Sequence, residues 1–166
     1  CIKKLLSDFS NIQYVIAGEG PEKRALQKLV NDEHLQNNVL FVGLVNDEQK
    51  KFLFERSSLM VMPTLDESKS RSIEGFGISY LEAAFFGIPS IASNIGGTLE
   101  AVLHNSTGKI INNIENLYKT ITELLLDNEQ RKILGKNAQK RAIDEFSWDI
   151  IATKHLSIIN NIVKKN

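Results

Sequence analysis

Short apolar runs alternate along this chain with longer stretches whose apolar residues recur at helical spacing. Tyr14-Val15-Ile16-Ala17, Val39-Leu40-Phe41-Val42 and Leu59-Met60-Val61-Met62 read as strands ended by Gly18, Gly43 and Pro63. Pro89-Ser90-Ile91-Ala92-Ser93 and Lys109-Ile110-Ile111 read as a fourth and a fifth. Between them lie helices. Pro21 opens one that turns Leu26, Leu29 and Val30 inward. Asn46 and Asp47 cap a second, with Phe52 and Leu53 inward. A third runs from about Gly77 to Phe86, with Gly87 as its C-cap. A short one follows Gly96-Gly97 and reaches Val102, and three more finish the chain. The second of these opens on Asp127-Asn128-Glu129-Gln130, which resembles a capping box. The last follows Phe146-Ser147-Trp148 and carries Ile151, Ile158, Ile159 and Ile162 on one side, with Trp148 expected as a core anchor. At the other end, Ile2, Leu5, Leu6 and Phe9 mark one face of an opening helix.

Strands that are apolar throughout need cover on both faces. Alternation with helices therefore predicts an α/β, Rossmann-like parallel sheet with helices on both sides. Ligands of such folds sit outside the carboxyl ends of the strands, which makes the Gly, Pro and polar residues there the candidates.

Composition narrows the function classes. The 166 residues suit one domain, taken over 1–166, with 42% hydrophobic and 24% charged residues. Twenty basic residues balance 20 acidic ones, so no net positive field favours nucleic acid. The lone thiol, Cys1, cannot form an internal disulfide and fits a reducing, cytoplasmic setting. His34, His104 and His155 are dispersed, and no metal spacing or cofactor motif appears. Gly18-Glu19-Gly20 lacks the third glycine of a dinucleotide fingerprint, since Lys23 stands there. The chain opens without Met in a helical stretch, and is expected to be part of something longer.

The richest segment is Glu74-Gly75-Phe76-Gly77-Ile78-Ser79-Tyr80-Leu81-Glu82. It reads as a loop, a carboxylate and then a helix beginning at a glycine. The amides of Gly77, Ile78 and Ser79 have no intrahelical acceptor in the first turn, and the helix dipole adds partial positive charge. This is an anion site suited to a diphosphate. Glu74 before the helix can accept from sugar hydroxyls, and Glu82 inside it from ribose hydroxyls. Read plainly, the same glutamates are a helix-start charge and a solvated surface residue. The preceding polar loop, with Lys69 and Arg71, reads as a solvated connection.

This segment resembles the E-x7-E motif of the family-four (group 1) GT-B glycosyltransferases, here Glu74-Gly75-Phe76-Gly77 and Leu81-Glu82-Ala83-Ala84. Further resemblances follow in family order: Val15-Ile16-Ala17-Gly18-Glu19-Gly20-Pro21, Phe41-Val42-Gly43-Leu44-Val45 and Phe86-Gly87-Ile88-Pro89-Ser90-Ile91-Ala92-Ser93, then Phe146-Ser147-Trp148. Gly96-Gly97-Thr98-Leu99-Glu100 resembles the family's GG-x-P-E turn, with Leu99 where proline is usual.

The resemblance implies a donor-binding, C-terminal half of a retaining enzyme that moves a hexose from a nucleoside-diphosphate sugar. It implies that Glu74 contacts the transferred sugar, as the catalytic candidate. The amides of Phe76 and Gly77 face that sugar, those of Ile78 and Ser79 the diphosphate, and Glu82 the ribose. Val45 and Asp47 match a region that contacts the base. No metal or other cofactor is expected, and no nucleic-acid partner. The acceptor, a sugar or lipid, is expected on an N-terminal domain that this chain lacks, with envelope polysaccharide or glycolipid synthesis as the setting. Peripheral association with the inner face of the membrane is compatible with that setting. In the family a strand carrying an Arg and a following Lys precedes the opening helix. Its absence here predicts a break between the strands at 14–17 and 59–62. A sugar-nucleotide epimerase of the same architecture, or a non-catalytic binding module, are the alternatives.

Overall fold

The computed structural model describes residues 1–64 and 75–163. In chain order these form α1 (Ile2–Asp8), β1 (Tyr14–Ala17), α2 (Lys23–Asp32), β2 (Val39–Gly43), α3 (Asp47–Arg56), β3 (Met60–Met62), α4 (Ile78–Phe85), β4 (Ser90–Ser93), α5 (Thr98–Ala101) and β5 (Gly108–Ile111). A 3-10 turn at Ile114–Asn116 leads into α6 (Leu117–Leu126), α7 (Asn128–Phe146) and α8 (Trp148–Val163).

Among the described residues all strand pairing is parallel. β4 lies between β3 and β5, with Met60 beside Ser90 and Ser90 beside Gly108. β1 pairs with β2 from Tyr14 beside Val39, and slips register between Ile16 and Ala17. Beyond the slip the Gly18 amide donates to the Gly43 carbonyl at 2.7 Å. Among the described residues the β1–β2 pair and the three-stranded sheet share no ladder. The α/β expectation therefore holds, and the strands divide where a break was expected.

The three-stranded sheet is covered on both sides, and strand alternation shows how. Ile91 and Ile111 face Leu5 of α1, Leu117, Ile121 and Leu124 of α6, and Leu134 of α7. Ala92, with Met60, Met62 and Ile110, faces Tyr80 of α4 and the Ala101–Val102 end of α5. Every residue of β4 is buried. Each fully buried Leu or Ile stabilises by roughly 1.5–3 kcal/mol.

Helix ends follow the sequence signals. Asp127 accepts from the Gln130 amide at 2.8 Å and starts α7. Asn46 and Gln49 form a reciprocal capping box at α3. α4 stops at Gly87, whose amide reaches Ala84 while Ile88 reaches back to Ala83. Gly87 has φ 71°, a left-handed conformation that glycine adopts without strain. Its carbonyl lies against Gly135 of α7 so closely that a Cβ on Gly135 would fall 2.1 Å away.

Four expectations of burial fail. Leu26 and Leu29 of α2 are exposed, Leu29 to 55%, and Phe52 of α3 lies outward beneath the Arg56 guanidinium. Neither α2 nor α3 buries any residue fully. Trp148 is 86% exposed rather than a core anchor, and α8, which it opens, buries no residue fully. Ile158, Ile159 and Ile162 of α8 are exposed with it. Among the described residues, no helix is long and apolar enough to cross a membrane.

Candidate functional site

The turn after β4 and the loop that leads into α4 meet at the carboxyl edge of the three-stranded sheet. At its centre is Gly77, the N-cap of α4, with φ 86° and ψ 65°. Its peptide turns back on itself, and the Tyr80 amide donates to the Gly77 carbonyl at 2.9 Å. A Cβ here would fall 2.4 Å from the Tyr80 ring, so glycine is required by both backbone and space. The sequence marks only the amide of Gly77; the structure adds its packing on Tyr80.

Tyr80 went unnoticed in the sequence, where it reads as one more apolar position. It is 1% exposed, and its hydroxyl donates to the Met62 carbonyl at 2.6 Å. One side chain thus ties the start of α4 to the end of β3. A second brace comes from the Gly96-Gly97 turn after β4. A Cβ on Gly97 would fall 1.9 Å from the Gly75 carbonyl oxygen, so these two loops touch backbone to backbone. Thr98, fully buried, donates to the Ser93 carbonyl at 2.5 Å and closes that turn. Phe76 then packs on Phe146, ring centroids 5.6 Å apart, and the Arg141 guanidinium lies 5.0 Å from the Phe146 centroid. Arg141 also donates to the carbonyls of Glu100 and Ala101. The Gly75–Gly77 turn is thus held from three sides before any ligand arrives.

Ile78 and Ser79 form the first turn of α4, as expected, with Ile78 71% exposed. Glu82, four residues on, shares its face. Glu82 is not freely solvated: its Oε1 accepts from Lys50 Nζ at 2.6 Å, both side chains about one-third exposed. Lys50 Nζ also lies 3.8 Å from Asp47 Oδ1. The ribose candidate on α4 and the base candidate at the start of α3 therefore meet through one ammonium. That hydrogen bond to Glu82 holds Lys50 above the usual lysine range, with the charge of Glu82 and Asp47 adding to it against desolvation. Four residues further along each element, Phe54 stacks on Phe86 at 5.4 Å. No sequence signal links Lys50 to Glu82, because they lie 32 residues apart. Val45 is half-buried in the β2–α3 connection, and Asp47 is exposed as the first residue of α3.

Glu74 lies outside the described residues, as do Lys69 and Arg71. Among the described residues, no group of three His, Cys, Asp or Glu side chains is placed to hold a metal ion.

Residues 1–141 match the family model of the group 1 glycosyl transferases. A GDP-mannose-dependent alpha-(1-6)-phosphatidylinositol monomannoside mannosyltransferase of Mycobacterium tuberculosis is 31% identical over 142 residues, covering 84% of this chain and 37% of that protein. Sucrose-phosphate synthase from Thermosynechococcus elongatus superposes with a TM-score of 0.80 at 26% identity, over 99% of this chain and 43% of the other. Anabaena HepE in complex with UDP-glucose matches with a TM-score of 0.77 at 22% identity, over 90% of this chain and 41% of the other. The chain spans under half the length of each of these proteins. It belongs to the group 1 glycosyl transferases, and its fold is that of their GT-B structures.

Proposed function

We propose that this group 1 glycosyl transferase chain is the donor-binding domain, residues 1–166, of a retaining enzyme that transfers a hexose from a nucleoside-diphosphate sugar. One observation carries the reading. A braced, left-handed Gly77 starts α4 at the carboxyl edge of a parallel sheet, and Glu82 on that helix adjoins the Asp47 segment. In this reading the diphosphate lies on the amides of Ile78 and Ser79, where the helix dipole meets its charge. Phe76 and Gly77 amides face the sugar, Glu82 accepts from the ribose hydroxyls, and Val45 and Asp47 border the base. Glu74 orients the sugar and offsets positive charge developing at its anomeric carbon. Leaving-group charge is stabilised by the preorganised helix terminus, a contribution that needs no metal.

The relatives support this choice of donor: one is named for its GDP-mannose dependence, and another is solved with UDP-glucose. The lipid-linked acceptor in the mycobacterial protein's name supports a sugar or lipid acceptor, and a role in envelope polysaccharide or glycolipid synthesis. A cytoplasmic protein working at the inner face of the membrane fits that role.

Calorimetric titration of the whole protein with a panel of UDP- and GDP-sugars tests the reading. Binding of one donor class, weakened at least about tenfold by Glu82→Gln, is the expected result. In transfer assays Glu74→Gln should reduce turnover by about 100-fold or more, the usual scale for losing one transition-state contact. Unchanged turnover would remove Glu74 from the mechanism.

A further inference from the structure

We infer that Lys50 is a positioning residue for ribose recognition: it fixes the Glu82 carboxylate so that a vicinal diol meets it in one orientation. The inference rests on the proposed role of Glu82 and adds a residue that no motif supplies. Glu82 sits on α4 with a side chain long enough to sweep a wide arc, and a bidentate contact to two neighbouring hydroxyls needs one rotamer. Lys50 Nζ takes Oε1 at 2.6 Å. A carboxylate offers about four lone-pair sites, so a single ammonium leaves acceptor capacity for both hydroxyls of a cis-diol.

Lys50 is itself held. The Asn46–Gln49 capping box fixes the first turn of α3, with the Gln49 amide 2.9 Å from Asn46 Oδ1. The Phe54–Phe86 stack, one turn further along both elements, sets the spacing between α3 and α4. The Asp47 carboxylate, 3.8 Å from the ammonium, adds a second negative charge beside it. The diol contact is thereby coupled to the segment that borders the base, although the two lie on different helices.

The test compares UDP and GDP with their 2′,3′-dideoxy counterparts in calorimetric titrations of the whole protein. The unmodified protein should favour the ribonucleotide by about tenfold or more, and Glu82→Gln should erase that preference. Lys50→Met should reduce the preference to about threefold or less while leaving dideoxynucleotide affinity near its starting value. Lys50→Arg should restore most of it. A general structural defect would weaken both ligands equally, which overturns the inference. A Lys50→Met variant with full preference, beside a Glu82→Gln variant that has lost it, overturns the role of Lys50 alone. A Glu82→Gln variant that keeps full preference overturns the assignment of ribose to Glu82, and with it the inference.

Discussion

The two sheets use similar sequence patterns and reach opposite outcomes. β3, β4 and β5 carry helices on both faces, and Leu5, Ile91 and Leu124 are completely buried there. β1 and β2 are just as apolar, and α2 is as clearly amphipathic, yet neither α2 nor α3 buries any residue fully. Leu26, Leu29, Leu40, Val42 and Phe52 remain exposed in this half. Periodicity states which side of an element is apolar; what packs against that side decides whether it is covered. The candidate site straddles the division. Gly77 and Glu82 belong to the well-packed half, whereas Val45, Asp47 and Lys50 come from the open half. In the proposed reading, the firmly braced start of α4 that would hold the diphosphate is thus paired with a less firmly packed segment on the base side.

Paired leucine truncations should break this contrast most sharply. Leu124→Ala removes a fully buried side chain and should cost about 3 kcal/mol of unfolding free energy. Leu29→Ala, at a half-exposed site, should stay within about 0.5 kcal/mol. Urea denaturation checks both, and equal losses would mean that α2 is buried in solution. Next in size is Gly97→Ala. Its Cβ would collide with the Gly75 carbonyl, and overpacking there should cost about 1–3 kcal/mol and weaken donor binding. The same change at Gly20, which has open space around it, should be nearly neutral.

Cap removal gives a finer comparison. Asn46→Ala and Asp127→Ala each delete a side-chain acceptor at a helix start, worth about 1 kcal/mol. In amide exchange, loss of Asn46 should expose α3 locally, whereas loss of Asp127 should lower global stability with α7. The smallest effect is electrostatic. Lys50 is held above the usual lysine range, so its pairing contributes below the unfolded lysine pKa and is lost as pH rises through the raised folded value. NMR titration of its ammonium should therefore show it charged after exposed lysines have titrated. Glu82→Gln should return it to the ordinary range.

The strand cores, the helix caps at Asn46 and Asp127, and the glycine-led start of α4 were legible because each depends on residues within a few positions of one another. The E-x7-E segment and its ordered companions were legible as a resemblance. The role of Tyr80 was hidden, since its buried hydroxyl finds a partner only where α4 meets β3. So was the packing of Gly97 on Gly75, which requires two loops to converge. Trp148 misled because a large aromatic reads as core, whereas it opens a helix that buries no residue fully.

By itself, the sequence determined the α/β alternation, the parallel sheet and the candidate segment at 74–82. These follow from local periodicity, turn chemistry and motif order. Only the tertiary structure decided which apolar faces are covered, how the Gly75–Gly77 turn is braced, and that Lys50 joins Glu82 to Asp47. Those facts arise between residues tens of positions apart, and local pattern carries no information about which distant side chain will arrive.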